Sequence, residues 1–268
     1  MGIETIKKIT KFCNTKRPLV CLTAYTRYMG EILDGNCDLI LVGDSLSMVI
    51  YGNNFTKNVT LQTMINHGKA VGLAVKKSVL VVDMPKGTYE TSPKIALKNA
   101  KKIMRETNCD AVKVEGGLKI KKIIKTLVKN KIPVMGHIGL MPQQANKLSD
   151  YNVKGRSEKE EKSIINDLTA VQESGAFSVV IEAVPKALAD KLNKISTIKT
   201  IGIGASKQCD GQVLVTEDLL GYFTKTAKFV KQYDDIRGRI LKSVHKFKSD
   251  IIKKNFQLIE IHIKCPTN

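Results

Sequence analysis

The sequence predicts an α/β protein, a (β/α)8 TIM barrel with an extra N-terminal helix and C-terminal helices. Three observations lead there. Eight short runs rich in β-branched residues recur over about 220 residues, alternating with helical patterns. No Pro/Gly/Ser-rich linker or composition break divides the 268 residues, so 1–268 reads as a single barrel domain with a C-terminal tail from about 257. Polar residues gather at the carboxyl ends of the runs, where a parallel barrel converges on one rim. An open doubly wound sheet is the alternative, because a count of strands and helices does not separate the two.

The amphipathic start, residues 2–13, predicts a helix closing the bottom of the barrel. "PLVCLTAY" (18–25) is the first strand, before the helical "TRYMGEILDGN"; "CDLILVG" (37–43) is the second, followed after a loop by "TLQTMINHGKAVGLAVK" from Thr60. "SVLVVDM" (78–84) precedes "SPKIALKNAKKIMRETN", in which Ser92 and Pro93 make an N-cap and first-turn pair. "DAVKVEG" (110–116) is unusual, since Lys113 and Glu115 lie two apart and share one face. It leads into "KIKKIIKTLVKNK", with Ile120, Ile123, Ile124 and Leu127 as the buried stripe. "IPVMGHIG" (132–139) comes before "SEKEEKSIINDLTAVQESG", and "FSVVIEAV" (177–184) before "PKALADKLNKIST". "KTIGIGA" (199–205) and "GQVLVTEDLLG" (211–221) complete the eight; 234–256 reads as terminal helices, and "QLIEIHIKCPTN" as an edge strand or frayed tail.

Composition narrows the function classes. With 43% hydrophobic residues and no Trp, the chain is an ordinary globular one. Six cysteines without a CxxC pair read as free thiols of a cytoplasmic protein. The net charge of +19 raises a nucleic-acid or membrane partner, but the lysines are spread along wet helix faces and no nucleic-acid-binding signature accompanies them. Neither partner is expected; the charge instead favours anionic small substrates. GxGxxG, Walker A, HExxH and GxSxG are all missing.

The rim residues are Asp44 and Ser45 after the second strand, Asp83 ending the third, Lys113 and Glu115 closing the fourth, His137 near the end of the fifth and Glu182 near the end of the sixth. Singly, each has a structural explanation: a cap, a core histidine, a helix-entry charge, or a Lys/Glu pair satisfying itself. Together on one rim they form a site. Two carboxylates on neighbouring strands suit Mg2+, which leaves its other positions to water and substrate. A 2-oxo acid could fill two of those, with Lys113 balancing charge and Glu182 taking the proton beside the carbonyl. "GIGAS" (202–206) offers either an anion cradle or close packing.

Ten motifs, in order, give the chain its resemblance to the ketopantoate hydroxymethyltransferase family: "LTAY", "LVGDSLSMVIYG", "VVDMP", "VKVEGG", "PVMGHIGLMPQ", "YNVKGR", "VIEAVP", "IGIGA", "DGQVLV" and "KFVKQY". The resemblance runs from about residue 4 to 256. It implies a (β/α)8 barrel assembled into oligomers, often homodecamers. The implied reaction transfers a hydroxymethyl group from 5,10-methylenetetrahydrofolate to 3-methyl-2-oxobutanoate through a Mg2+-stabilised enolate. Its product is 2-dehydropantoate, on the way to pantothenate and coenzyme A. By motif, Asp44 and Asp83 resemble the metal ligands and also border the substrate, and Glu115 resembles the carboxylate near the metal. Ser45 and Lys113 would hold the oxo acid, His137 would line the site near the new hydroxymethyl group, and Glu182 resembles the general base. Thr26, Ser47, Asn53, Lys86 and Ser206 depart from the usual pattern, and Asn53 and Lys86 bear on folate affinity and rate. Two other readings are a related Mg2+-dependent barrel lyase or aldolase acting on a 2-oxo acid, and an inactive barrel that binds nucleic acid.

Overall fold

The computed structural model describes residues 2–255; the suggested strand or tail in "QLIEIHIKCPTN" (257–268) lies outside them. Eight parallel strands close into a barrel in sequence order, which settles the choice against an open sheet. They are β1 (Leu19–Thr23), β2 (Leu39–Val42), β3 (Val79–Asp83), β4 (Ala111–Lys113), β5 (Val134–Gly139), β6 (Ser178–Glu182), β7 (Lys199–Ile203) and β8 (Gly211–Leu214). The helices are α1 (Ile3–Asn14), α2 (Arg27–Leu33), α3 (Leu46–Val49), α4 (Leu61–Gly72), α5 (Pro93–Thr107), α6 (Lys121–Lys129), α7 (Glu158–Glu173), α8 (Lys186–Ile195), α9 (Thr216–Leu219) and α10 (Ile236–Ile252).

The helix starts follow from capping chemistry. Thr60, Ser92 and Ser157 each accept a hydrogen bond from the backbone N–H three residues on, and Pro93 occupies the first turn of α5 as expected. Thr26 caps α2 through Met29 N–H, so this departure from the family pattern serves the local fold. Two details differ from the sequence reading. The loop after β2 contains the short helix α3, and the alternation lapses between β7 and β8, where 204–210 form turns and carry no helix. Ser206, in that connection, hydrogen-bonds Asp190 of α8 and receives Gln208 N–H, which commits its hydroxyl to structure.

Inside the barrel the period of two decides everything. Leu19, Cys21, Leu39, Leu41, Val79, Val81, Ala111, Met135, Val180, Ile201 and Val213 point inward and pack as one core. Phe12 of α1 joins them from the amino-terminal end and meets Phe177 edge-on at 5.8 Å. Helix α1 is held there by Asp110, which accepts from Thr5 (2.9 Å), Lys8 (3.0 Å) and Leu80 N–H (2.9 Å). The bottom is thus closed by a helix, as the sequence suggested.

By its contacts the chain divides into two compact units, 1–216 with the whole barrel and a second that begins at Glu217. In the second unit, α10 is capped by Asp235 and buries none of its residues.

Candidate active site

Continuing each strand's inward phase by one more step gives Thr23, Gly43, Asp83, Lys113, His137, Glu182, Ile203 and Val215. All eight line one cavity of about 150 Å3 at the carboxyl-terminal mouth of the barrel, together with Asp44, Ser45 and Glu115. Every site residue expected from the sequence is therefore in one place. The volume is below the roughly 300–1,000 Å3 of drug-sized pockets, which restricts the deep part of the site to a small molecule.

The pairings are close. Asp83 is paired in register with Lys113, and its Oδ1 lies 3.0 Å from Lys113 Nζ as a buried ion pair. Its Oδ2 accepts Asp44 N–H at 3.0 Å, so Asp44 is clamped to the end of β3. Ser45 Oγ is 2.8 Å from the hydroxyl of buried Tyr25, a partner that the sequence reading had not singled out. His137 has Leu140 O at 2.7 Å and Glu182 Oε2 at 3.3 Å from Nε2, with Lys113 Nζ at 3.4 Å and Glu115 Oε1 at 3.7 Å from Nδ1. An Nε2–H tautomer that donates to Leu140 and accepts from Lys113 fits those neighbours. Lys113 and Glu115 both line the cavity, but Lys113 pairs with Asp83 of β3 while Glu115 is engaged by Gln143 N–H and faces His137 of β5, rather than each engaging the other.

Backbone geometry aims Glu182. Gly139, paired with Glu182 in register, has φ +91°, and a Cβ there would collide with the Glu182 carbonyl. Ala183 takes a left-handed φ of +46°, held by Ala183 N–H to Ile203 O and Lys154 N–H to Ala183 O, both 2.9 Å. Of the four acids lining the cavity, Glu182 is half-buried and the other three are sealed, at 4% exposure or less.

The electrostatics are one-sided. Four carboxylates face one ammonium and one imidazole in a nearly dry site. Burial, then Asp83, pushes Asp44 up to about 7, against the pull of Lys113. Burial likewise pushes Glu115 up to about 8, against His137. Burial works against the charge on Lys113, yet Asp83, Glu115 and Asp44 raise it above its ordinary value and keep it an ammonium. Among the described residues, no three His, Cys, Asp or Glu side chains are grouped as a closed metal cage. The residues nonetheless fit an open divalent site, because four carboxyl groups line the cavity against a single ammonium, and Asp83 Oδ1 has only that ammonium beside it.

Gln143, in a one-turn 3-10 segment after β5, is 2% exposed and touches Asp44, Glu115 and Tyr89. It had no assigned role in the sequence reading; its only signal there was membership of the "GLMPQ" motif. Ser47 and Asn53, two of the departures from the family pattern, bond to each other at 3.2 Å, and Ser47 Oγ donates to Phe55 O. Lys86 is exposed beside the separate cleft that also meets Tyr89 and Gln143.

A model of ketopantoate hydroxymethyltransferase matches residues 4–257. A 3-methyl-2-oxobutanoate hydroxymethyltransferase of Pelagibacter ubique (strain HTCC1062) is 50% identical over 252 residues, 93% of this chain and 96% of that protein. One of Rhizobium etli (strain ATCC 51251 / DSM 11541 / JCM 21823 / NBRC 15573 / CFN 42) is 50% identical over 241 residues, 90% and 88% of the two chains. Among solved structures, phosphonopyruvate hydrolase in complex with oxalate and Mg++ superposes with TM-score 0.62 at 9% identity, covering 99% of this chain and 92% of that one. A 2,3-dimethylmalate lyase of the PEP mutase/isocitrate lyase superfamily gives 0.61 at 10%, covering 99% and 93%. At such identities the likeness concerns the barrel alone. The match over nearly the whole chain and the half-identical relatives place this enzyme in the ketopantoate hydroxymethyltransferase family, whose members are hydroxymethyl-transferring enzymes.

Proposed function

We propose that the protein transfers a hydroxymethyl group from 5,10-methylenetetrahydrofolate to 3-methyl-2-oxobutanoate, forming 2-dehydropantoate for pantothenate and coenzyme A synthesis. One observation supports this above the rest: all seven side chains expected from the motifs line a single small cavity at the barrel mouth. Asp44 and Asp83 would hold Mg2+ with Glu115 close by, and the ion, when bound, would polarise the keto group and make the neighbouring C–H acidic.

The chain's own residues do the rest. Lys113, kept charged by its acid neighbours, receives the substrate carboxylate together with the Ser45 hydroxyl, which Tyr25 orients. Glu182 is the acid that the cavity leaves partly open, and it takes the C3 proton as general base. His137 directs its Nε2–H to Leu140 O and lies 3.3 Å from Glu182 Oε2, which leaves that carboxylate free to accept a proton. By resemblance, the imidazole would also meet the hydroxymethyl oxygen as it forms. The folate must approach from the rim, because the deep cavity has room for a small acid only.

Self-association, as a homodecamer by resemblance, is part of the proposal. Ile240, Val244, Phe247 and Ile251 of α10 recur at helical spacing and are about half exposed, an apolar stripe that a second copy would cover. No helix among the described residues is long and apolar enough to cross a membrane, and a cytoplasmic location remains part of the same reading.

The test is solvent-deuterium exchange at C3 of 3-methyl-2-oxobutanoate with Mg2+, followed by addition of methylenetetrahydrofolate. Exchange without folate and product with it are expected. Absence of exchange with every divalent metal would overturn the proposal, and exchange without folate-dependent product would favour a carbon-bond lyase.

A further inference from the structure

Gln143, in the loop after β5, is bonded in four directions by groups from three other loops. Its Nε2 donates to Asp44 Oδ2 at 2.8 Å, after β2, and to Met84 O at 3.0 Å, after β3. Its Oε1 accepts from the Tyr89 hydroxyl at 2.8 Å, and its backbone N–H donates to Glu115 Oε2 at 3.0 Å, after β4. Tyr89 in turn accepts Glu115 N–H at 3.1 Å. The amide orientation is over-determined. Asp44 and the Met84 carbonyl are acceptors, so a flipped amide would set its oxygen against two oxygens.

We infer that Gln143 is a positioning residue for the divalent-cation site, locking one oxygen of Asp44 and one of Glu115 so that the other oxygen of each is presented to the cavity. The inference rests on the proposed reading that Asp44 helps to hold the ion. Occupying Oδ2 of Asp44 leaves Oδ1 as the oxygen that Gln143 does not engage, while the Asp44 backbone is pinned separately by its N–H to Asp83 Oδ2. Occupying Oε2 of Glu115 turns Oε1 toward His137, 3.7 Å away. Outer partners of metal-binding carboxylates act in this manner, and their loss typically weakens metal binding roughly 10–100-fold. The loops after β2, β3, β4 and β5 are thereby tied through a single buried residue, which couples Asp44 to Glu115.

The test uses the full-length enzyme and Mg2+ as the probe. Gln143→Met keeps the volume and the backbone donor to Glu115 but removes the side-chain bonds. Mg2+ affinity is measured by titration calorimetry below the unfolding transition, alongside C3 proton exchange as a function of Mg2+ concentration. The expected result is a Mg2+ Kd raised 10–100-fold, with most of the exchange rate restored at saturating Mg2+. Tyr89→Phe, which removes one hydroxyl, is expected to raise Kd several-fold and serves if the first variant does not fold. Folded Gln143→Met with the Kd of the wild type would overturn the inference, as would lost exchange that no amount of Mg2+ restores. Wild-type protein that binds no divalent cation would instead overturn the proposed metal site itself, which keeps the two failures distinct.

Discussion

The two ends of the barrel solve opposite problems with the same repeat. At the amino-terminal end, the inward residues are apolar, Phe12 fills the space between them, and Asp110 has three donors from α1 and β3. At the carboxyl-terminal end, the same inward phase presents acids, a lysine and a histidine, and the acids outnumber the cations. The bottom is built for stability and the mouth is built at the expense of it. Burying like charges together is unfavourable unless something else brings in the missing positive charge, which is the reason to expect a cation and an anionic substrate held by Lys113.

The sharpest way to test this division is to remove function without touching the frame. Glu182→Gln should lower C3 exchange by roughly 10^2–10^4-fold while the oxo acid still binds, since a general base contributes about that much; unchanged exchange would assign the base elsewhere. The converse is Phe12→Ala at the bottom, where truncating a buried aromatic costs about 3–5 kcal/mol. Denaturant titration should register that loss, and the exchange rate per folded molecule should stay near wild type.

Asp44→Asn breaks the comparison at its centre. In the metal-free protein the Asp44 carboxyl is pushed up to about 7, from an ordinary 3.8, by burial and then by Asp83. The folded state keeps a proton that the unfolded state releases as pH rises from about 4 to about 7, so stability declines across that window and the deficit is complete above it. The substitution should therefore raise metal-free stability at pH 8, on the order of 2–4 kcal/mol, and abolish the stabilisation that Mg2+ confers. Urea titration with and without chelator reads both; a destabilised metal-free variant would contradict the charge excess.

The bottom should show the opposite slope, weakly. Burial works against the Asp38 carboxylate, but Arg17 and Val20 N–H hold it below its ordinary value. Its stabilisation is present above about pH 4 and is lost as pH falls. Because Arg17 is largely exposed, Asp38→Asn should cost less than about 1 kcal/mol at neutral pH and flatten the acid limb of the stability curve.

How far the site was legible depends on the range of each contact. Asp83, Lys113, Glu115, His137 and Glu182 could be placed because each lies at the end of a β-branched run, and the period of two says which way it points. Gln143 could not be given a role, because its partner Asp44 is 99 positions away and nothing in a turn sequence encodes which distant acid it will meet. The same holds for Tyr25 with Ser45 and for the mutual bond of Ser47 and Asn53. The β7–β8 connection was misjudged because a barrel repeat leads one to expect a helix where turns suffice.

Local chemistry along the chain determined the strands, their inward faces, the helix caps and the identity of the acids and the lysine, since alternation and capping act over a few residues. Closure of the sheet decided the remainder: it set Asp44 against Asp83, placed His137 between Glu115 and Glu182, and made Gln143 the tether between Asp44 and Glu115. Those relations arise only when strands far apart in sequence become neighbours around a ring, where burial turns a scattered set of ordinary carboxylates into one strained and receptive cluster.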